Sequence, residues 1–489
     1  DPHGPNPYTI NDNNTYSQNY LPVLVNGMAG VLDLPNDARV RALTPAASAQ
    51  IRPSNPQSPP VGTPLRPGGP IKHVFYVVKE NRTYDQILGD DSRGAGDPNL
   101  AIFGRQVTPN THALAQRFPL LDNVYANSEA SIDGHFWTSA GKVSDYVEKN
   151  WNQNYGDRGR PYDFGVFSVT WPQNQFLFDQ AEHDGIGWFN FGEAIAGVVP
   201  NANANDLFPG SAPLLDKDRT AAENGPVLAK FAKSDLGAPD GCYANDAFLF
   251  KNGITQNPVS DPSPPPGSPP NTESRFDCFK QRFDAWVATG TVPAFTYLVL
   301  PQDHTEGGKA GSPTPRAYVA RNDAGLGQLI DHISHSPIWS SSAIFVVEDD
   351  SQDGADHVDA HRIPAAVISP YTRPGAVVHT RYDFLSVIRS MELILNMHPL
   401  GLFDNLATPM YDAFSSTPSN DAPYSAVAPT WDLNEKNAAG TAAARMSARV
   451  DLNHPDRVSQ RQLDRIIWKT VYGNTAEPPP PGPNARPGD

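Results

Sequence analysis

Four apolar segments of this chain each run directly into polar side chains. The polar groups that follow them are Glu80–Asn81, Ser131–His135, Asp303–His304 and Asp349–His361. Continuous apolar, β-branched runs of this kind are typical of buried strands in a parallel sheet. The carboxyl ends of parallel strands meet at one edge of an open sheet, where such folds keep their active sites. The pattern therefore predicts an α/β fold in which these polar groups converge.

The most acidic of these groups lies within residues 343–371, which read AIFVVEDDSQDGADHVDAHRIPAAVISPY. Its carboxylates and imidazoles belong to Glu348, Asp349, Asp350, Asp353, Asp356, His357, Asp359 and His361. So many neighbouring carboxylates repel one another unless a cation or solvent neutralises them. We interpret the stretch as part of a metal site, with a solvated acidic loop as the alternative.

Charge and hydropathy limit the partners of the chain. A formal net charge of −16 over 489 residues argues against nucleic acid or an anionic membrane as an electrostatically attracted partner. A phosphorylated substrate stays compatible with this charge, because a bound metal inverts the local field. The sequence has no apolar run long enough to span a bilayer, so we expect no integral membrane association.

Composition favours a secreted or periplasmic protein. The chain has 50 Pro and 38 Gly, few Lys, and begins at Asp1, as a processed chain would. Its cysteines, Cys242 and Cys278, flank a loop rich in Pro, Ser and Asn. In an oxidising compartment they would form a disulfide that stabilises the fold by about 4 kcal/mol. Two buried free thiols are the alternative.

Changes in composition divide the chain into three parts. Residues 1–70 are predicted to be an N-terminal extended segment and linker, and residues 71–400 a catalytic domain. Within that domain, residues 201–272 are rich in Pro, Asn and Ser and are predicted to be an insertion or lid. Residues 401–489 are predicted to be a loop-rich extension with helices and a disordered tail.

Several catalytic signatures are missing from the sequence. It contains no G-x-S-x-G, H-E-x-x-H or G-x-x-x-x-G-K-[ST], and no Cys- or Ser-x-Pro-x-Arg. A non-catalytic, secreted protein that binds divalent cations is an alternative to an enzyme. Such a protein would explain the acidic stretch, but not the histidines or the position of Glu80 and Asn81 at the end of a strand.

Two motifs of the chain resemble those of a bacterial phosphoesterase family. Glu80–Asp85 (ENRTYD) matches its E-N-R-[ST]-[FY]-D motif, and Asp349–Val358 (DDSQDGADHV) matches its D-[DE]-x₅-D-H-V block. PQDHT at Pro301–Thr305 is similar to its Asp-His block, and SEASIDGHFWTSA looks like a variant of its nucleophile turn. This family holds phosphatidylcholine-type phospholipases C and related acid phosphatases. The resemblance spans Ile71 to Leu400.

The resemblance implies an alkaline-phosphatase-like fold, with a mixed, mostly parallel sheet between helices, and hydrolysis of phosphate esters. The implied metal ligands are Glu80, Asn81, Ser131, Asp349 and Asp350. Ser131 would be the nucleophile that forms a phosphoseryl intermediate. This alignment puts His135 where the phospholipases have Arg, and Ser128, Thr138 and Ser139 lie close enough to be alternative nucleophiles. The substrate would be a phosphorylated small molecule or a phospholipid head group.

The remaining polar residues of the motifs have supporting roles in this interpretation. His304 and His357 would hold phosphate oxygens or protonate the leaving group. Carboxylates and an Asn carbonyl suit a hard divalent cation such as Ca, Mg, Mn or Zn. Residues that would support the ligands are Arg82, Asp303, Asp356, Asp359 and His361. Asp359 and His361 are also candidate ligands of a second metal.

Overall fold

Nine short strands build the sheets of the described part of the chain. The computed structural model describes residues 36–50, 59–128, 130–155, 172, 176–191, 193, 275–351, 355–450 and 460–477. Within these ranges the strands are β1 (His73–Lys79), β2 (Leu120–Leu121), β3 (Val124–Tyr125), β4 (Trp188–Phe191), β5 (Phe295–Leu300), β6 (Ser342–Glu348), β7 (Ala366–Ile368), β8 (Val377–Val378) and β9 (Tyr382–Asp383).

The described helices lie between these strands and after them. They are α1 (Asp37–Gln50), α2 (Tyr84–Leu88), α3 (Pro109–Arg117), α4 (Ser131–Ala140), α5 (Asp145–Tyr155), α6 (Leu177–His183), α7 (Arg275–Thr289), α8 (Pro315–Ser334), α9 (Phe384–Leu395), α10 (Leu402–Leu406), α11 (Ala442–Ser447) and α12 (Gln460–Tyr472). Short 3₁₀ turns cover Pro301–His304, Trp339–Ser341 and Tyr411–Ala413.

The main sheet has the strand order β4-β5-β1-β6-β7. Its first four strands are parallel, and β7 runs antiparallel to β6. The central strands consist of apolar residues that are buried over nearly their whole length, as strands covered on both faces must be. The predicted α/β fold with a mixed, mostly parallel sheet between helices is confirmed.

Alternating side chains of β1 enter two separate cores. Val74, Tyr76 and Val78 face a core that also contains residues of α4, α5, α6 and α9. Phe75 and Val77 face the opposite core, which α3, α7 and α8 complete. This period of two is the pleat of a strand, and it explains why both faces of the sheet carry helices. Because helices cover both faces, a functional site can form only at the edge where the strands end.

One predicted strand does not join the main sheet. The sequence pattern over residues 120–127 suggests one continuous strand before α4, but the chain forms β2 and β3 separately. They pair with β8 and β9 in two small parallel sheets. Asp122 and Asn123 separate them, and both side chains bond the segment around His379 instead of extending a strand. The residues of α4 therefore reach the site from the side of the sheet.

The terminal segments also depart in part from the sequence-based expectation. Within the predicted extended segment 1–70, Asp37–Gln50 forms helix α1. In the C-terminal extension, α12 packs Leu463 and Ile467 into a third core with Tyr84 of α2 and residues of α8. The predicted insertion 201–272, Cys242 and the side chain of Cys278 lie outside the described residues, so the lid and the disulfide stay predictions.

Candidate active site

The register of the sheet brings two distant carboxylates to one edge. Lys79, the last residue of β1, pairs with Leu300 of β5 on one side and Glu348 of β6 on the other. Glu80 and Asp349 are therefore the first residues beyond two adjacent strands. The backbone N–H of Asp349 donates to the Lys79 carbonyl at 2.9 Å and continues the ladder. This alignment is the convergence predicted from the sequence.

Helix α4 is held against the end of β6 by a close backbone approach. A Cβ atom on Gly134 would lie 2.2 Å from the carbonyl oxygen of Asp349, so a side chain has no room there. The Ser128 hydroxyl donates to the same carbonyl at 2.6 Å. These contacts fix the first turn of α4 beside Asp349 and direct His135 toward the carboxylates.

Three buried side chains form the centre of the site. Glu80, His135 and Asp349 each offer a ligand atom, and these atoms lie within 4.8 Å of one another. The Nε2 atom of His135 lies 3.6 Å from Oδ2 of Asp349. Next to this group the Asn81 side chain donates to Oδ1 of Asp350, and both residues are buried. The structure thus brings together four of the five predicted metal ligands and adds His135.

The chemistry of this group fits a divalent cation. Among the described residues, neither carboxylate oxygen of Asp349 accepts a hydrogen bond, although the residue is fully buried. Burial raises the pKa of Asp349 well above its usual value, and the charges of Asp350 and Glu80 raise it further. A cation would relieve both the desolvation and the repulsion, which makes Glu80, Asn81, His135, Asp349 and Asp350 a suitable ligand set.

Glu193 is a buried carboxylate beside the site that the sequence motifs do not single out. Its Oε2 atom lies 3.0 Å from Nδ1 of His135, and it is itself buried. Burial lowers the pKa of His135, but Glu193 outweighs this effect and the pKa rises to about 9, so a metal ion that binds Nε2 must displace its proton. Glu193 lies two residues beyond the end of β4, so the strand-end rule that found the other residues also applies to it.

A buried lysine supports the site from below. The Lys79 ammonium lies 2.6 Å from Oδ2 of Asp303 and 2.7 Å from Oε1 of Glu348. The other carboxylate oxygen of Asp303 accepts from the backbone N–H of Glu80 at 3.0 Å. Asp303 therefore fixes the strand end that carries Glu80, and its role as a supporting residue of a metal site stays a prediction.

Arg82 joins the loop after β1 to the turn after β5. Its guanidinium donates to the carbonyls of Asp303 at 2.9 Å and of His304 at 3.0 Å. The His304 ring turns Nδ1 toward the Thr305 carbonyl at 3.0 Å, so this nitrogen carries the proton. Burial lowers the pKa of His304 to about 4, which favours the neutral ring. Arg82 is thus a scaffold residue in this structure.

His357 belongs to a neighbouring cluster centred on Arg362. The Asp85 carboxylate accepts from His357 Nδ1 at 2.6 Å and from Arg362 at 2.9 Å. Arg362 also lies 3.0 Å from Asp356 and 4.5 Å from the ring centroid of Tyr84. Arg362 thus pairs with both carboxylates, and Asp85 orients His357 through the Nδ1 atom of its ring. The hydrogen bond to Asp85 raises the pKa of His357 above 6.5.

Asp359 and His361 form a local pair further along the same loop. The Nδ1 atom of His361 lies 2.7 Å from Oδ1 of Asp359, and the backbone N–H of His361 donates to the same oxygen at 2.9 Å. In the described part of the chain, three groups of carboxylates and imidazoles lie close enough together to hold a metal ion. Neither Asp359 nor His361 belongs to any of these groups. Their role as supporting residues or as ligands of a second metal stays a prediction.

Several hydroxyl groups near and within α4 are candidates for the nucleophile. The backbone of Ser131 begins the helix, while its side chain lies outside the described residues. The Thr138 hydroxyl donates to the Gly134 carbonyl at 2.9 Å, and the Ser139 hydroxyl to the His135 carbonyl at 2.5 Å. Together with Ser128, which bonds Asp349, these alternative nucleophiles are tied to main-chain oxygens.

Comparison with protein families bears on the second half of this site. The Phosphoesterase family model matches residues 264–398. The match includes the predicted Asp-His block at Asp303–His304 and the acidic stretch from Asp349 to His361, and it confirms the resemblance to a phosphoesterase family. Glu80, Asn81 and His135 lie outside the matched segment and join it through the sheet. No curated protein matches the chain.

Several solved structures are similar to the chain. A protein of the alkaline phosphatase superfamily from Vibrio parahaemolyticus is similar over 77% of this chain and 78% of its own, with 15% identity and a TM-score of 0.41. The lipoteichoic acid synthase LtaP from Listeria monocytogenes is similar over 87% and 98%, with 12% identity and a TM-score of 0.45. The phosphonate monoester hydrolase SpPMH from Silicibacter pomeroyi is similar over 67% of this chain and 74% of its own, with 14% identity and a TM-score of 0.38.

Of the helices that the structure describes, none combines the length and the apolar character that a bilayer span requires.

Proposed function

We propose that this chain is a secreted or periplasmic phosphoesterase that depends on a divalent metal ion. The observation that carries the proposal is the meeting of Glu80, His135 and Asp349, whose ligand atoms lie within 4.8 Å of one another at the carboxyl edge of the sheet. The match of residues 264–398 to the Phosphoesterase family supports the same chemistry. The composition rich in Pro and poor in Lys supports the compartment.

In this proposal the metal is held by Glu80, Asn81, His135, Asp349 and Asp350. A bound divalent cation supplies Lewis-acid polarisation of a phosphoryl oxygen and lowers the pKa of a coordinated hydroxyl. Glu193 keeps the imidazole of His135 oriented, as carboxylates commonly do for histidine ligands. Lys79 and Asp303 hold the strand end beneath these ligands.

Ser131 is the nucleophile of the proposed reaction. Its position at the first residue of α4 places it where helix N–H groups favour an anion. Its Oγ attacks phosphorus while its proton passes to solvent, and the bond from phosphorus to the leaving oxygen breaks. Water then attacks the phosphoserine, the bond from phosphorus to Oγ breaks, and Oγ regains a proton. The main-chain bonds of Ser128, Thr138 and Ser139 favour Ser131 over these alternatives.

His357 donates the proton that the leaving oxygen needs. Its hydrogen bond to Asp85 raises its pKa, so the imidazole keeps its proton to a higher pH than that of an unperturbed histidine. Burial lowers the pKa of His304 to about 4, so its ring is neutral there. His304 instead binds a phosphate oxygen or fixes the adjacent turn. The two histidines that the resemblance makes equivalent candidates thus receive different roles.

The substrate is a phosphate ester of the acid phosphatase or phospholipase C type. The test is an activity panel on the metal-depleted protein, with Ca, Mg, Mn and Zn each restored separately. Hydrolysis of p-nitrophenyl phosphate would indicate a monoesterase, and hydrolysis of p-nitrophenyl phosphorylcholine would indicate a phospholipase-type diesterase. Absence of turnover of both esters with all four cations would refute the proposal.

Two Asp→Asn variants connect the activity to the site. Asp349→Asn should lose the activating metal and reduce kcat by at least about a hundredfold, because a buried anionic ligand becomes neutral. Asp323→Asn is the matched control, since Asp323 is also a buried carboxylate but accepts hydrogen bonds from Thr111 and Asn110, which are not proposed ligands. Equal loss of activity in both folded variants would contradict the assignment of Asp349.

Ser131→Ala separates an enzyme from a cation-binding protein. The variant should keep the metal content and the thermal stability of the parent but lose turnover and the phosphoseryl intermediate. If the parent protein binds the cation with high affinity and hydrolyses neither ester, the alternative of a non-catalytic cation-binding surface protein would replace the enzyme proposal.

A further inference from the structure

A second group of metal-binding side chains lies on the surface, away from the proposed active site. Helix α6 ends at His183, and Asp184 caps it with its backbone N–H bonded to the carbonyls of Gln180 and Glu182. His398 follows the end of α9, two residues beyond Asn396, whose left-handed backbone turns the chain. Two segments from distant parts of the sequence thus meet at one place.

Both imidazoles of this group point the same nitrogen at the same oxygen. Oδ1 of Asp184 lies 3.1 Å from Nδ1 of His183 and 2.8 Å from Nδ1 of His398. The ring centroids are 6.4 Å apart and the ring planes cross at 77°. The three ligand atoms lie within 4.8 Å of one another. Among the described residues, no other carboxylate lies between two imidazoles in this way.

Asp184 is held in position before any ligand binds. Its other carboxylate oxygen, Oδ2, accepts from Nε2 of Gln180 at 2.9 Å and from the backbone N–H of His398 at 2.7 Å. These two bonds leave Oδ1 for the imidazoles. A carboxylate anchored by one oxygen and presenting the other to two imidazoles needs little reorganisation to become a metal ligand.

The ligand set is that of a borderline divalent metal. We propose that His183, Asp184 and His398 form a surface zinc site, with water at the remaining position. Ligand bonds of about 2.0–2.1 Å at tetrahedral angles would place neighbouring ligand atoms roughly 3.3 Å apart. The observed separations of 2.8 and 3.1 Å are a few tenths of an ångström shorter. Small movements of two exposed rings provide that space.

This site differs chemically from the proposed active site. Two imidazoles and one carboxylate favour zinc over calcium or magnesium, which bind mainly oxygen ligands. Zinc here would fasten the end of α6 to the segment after α9. Helix α6 contacts β4 through Phe178 and Trp188, whose ring centroids are 4.9 Å apart. The site would therefore stabilise the edge strand of the main sheet without touching the catalytic residues.

The test compares zinc binding by the full chain and by variants. The parent and a His183→Ala, His398→Ala double variant are titrated with zinc against a chromophoric chelator, each also in an Asp349→Asn background. We expect the double variant to bind one equivalent fewer in both backgrounds. Each single variant should bind that equivalent at least about tenfold more weakly, since loss of an outer partner alone costs ~10–100-fold.

His335→Ala is the matched control, because His335 is an exposed histidine that pairs with one carboxylate, Asp331, at 3.0 Å. It should bind zinc like the parent. In the Asp349→Asn background, cobalt in place of zinc should give the visible bands of a low-coordinate site with and without His335→Ala, but not in the double variant. Equal zinc stoichiometry in the parent and the double variant would overturn the proposal. His183, Asp184 and His398 would then only join the two segments by hydrogen bonds. The zinc site and the proposed hydrolysis are tested separately, because Asp349→Asn should abolish the hydrolysis and leave the surface zinc site intact.

Discussion

Glu193 holds the imidazole of His135 by its Nδ1 atom at 3.0 Å, which leaves Nε2 directed at the Asp349 carboxylate 3.6 Å away. A single carboxylate at the end of the edge strand therefore determines which nitrogen of the ring faces the site. The orientation of this histidine depends on β4, whereas its position depends on α4.

Loss of the Glu193 carboxylate should weaken metal binding without unfolding the protein. In Glu193→Gln the side chain keeps its shape but no longer holds the imidazole as an anion, so we expect metal affinity to fall by ~10–100-fold. Isothermal titration with the activating cation measures this change. Glu306→Gln, at a buried glutamate that bonds Ser312 instead, is the control. Unchanged affinity in Glu193→Gln would remove Glu193 from the site.

A methyl group at residue 134 should disturb the site by geometry alone. Gly134→Ala would put a Cβ 2.2 Å from the Asp349 carbonyl, so α4 must move away from β6. We expect a destabilisation of about 1–3 kcal/mol from overpacking and a large loss of kcat. Gly187→Ala is the control, because its Cβ would meet nothing within 4 Å. Chemical denaturation measures the free energy of unfolding of both variants, and a turnover assay measures their kcat. A fully active Gly134→Ala would contradict the close contact between α4 and β6.

The role of His357 as proton donor predicts a dependence on the leaving group. His357→Asn should reduce kcat strongly for alkyl phosphate esters and weakly for p-nitrophenyl esters, whose leaving group needs little protonation. The parent should lose activity as pH rises through the elevated pKa of His357, and the variant should not show this alkaline decline. His379→Asn, at an exposed histidine 2.8 Å from Asp122, is the control. Equal losses on both ester classes would exclude His357 as the acid.

A buried glutamate remote from the site should make stability depend on pH. Burial raises the pKa of Glu392 well above 4.5, and Asp404 raises it further. Between the unfolded and folded pKa values the folded chain binds more protons, so its stability falls as pH rises above about 4.5. Glu392→Gln should therefore be more stable than the parent near pH 7, by roughly 1 kcal/mol, and the difference should vanish below about pH 4.

Thermal unfolding of the parent and of Glu392→Gln across this pH range measures the effect. Asp37→Asn, at an exposed carboxylate of α1, should follow the parent at every pH. A Glu392→Gln variant with the same pH dependence as the parent would show that Arg389, 3.1 Å from the carboxylate, already compensates its charge.

The central strands and their polar ends follow from the sequence. β1, β5 and β6 are continuous apolar runs, and a run buried on both faces fits only the interior of a layered sheet. Once these strands are parallel, Glu80, Asp303 and Asp349 must lie at one edge. This conclusion does not require the order of the strands, because it depends only on the direction in which they run and not on which strands are neighbours.

Other parts of the site depend on contacts that no local pattern encodes. The residues before α4 have the apolar character of a strand, yet they break into β2 and β3 and pair with segments more than 250 residues later. Arg362 resembles a partner of nearby Asp359 in the sequence, but it lies between Asp85 and Asp356. Such choices are decided by packing across the whole chain, where tertiary contacts override local preference.

The register of Lys79 with Glu348 links the chemistry of the protein to its folding. These two residues are 269 positions apart in the chain, so no fragment that lacks either half assembles the ligands. Contacts of such sequence separation form late and slowly. A cation that binds only the completed edge would stabilise the folded chain, by an amount that grows with the logarithm of the free cation concentration above its dissociation constant. Metal supply during folding would then determine how much of the protein survives proteolysis.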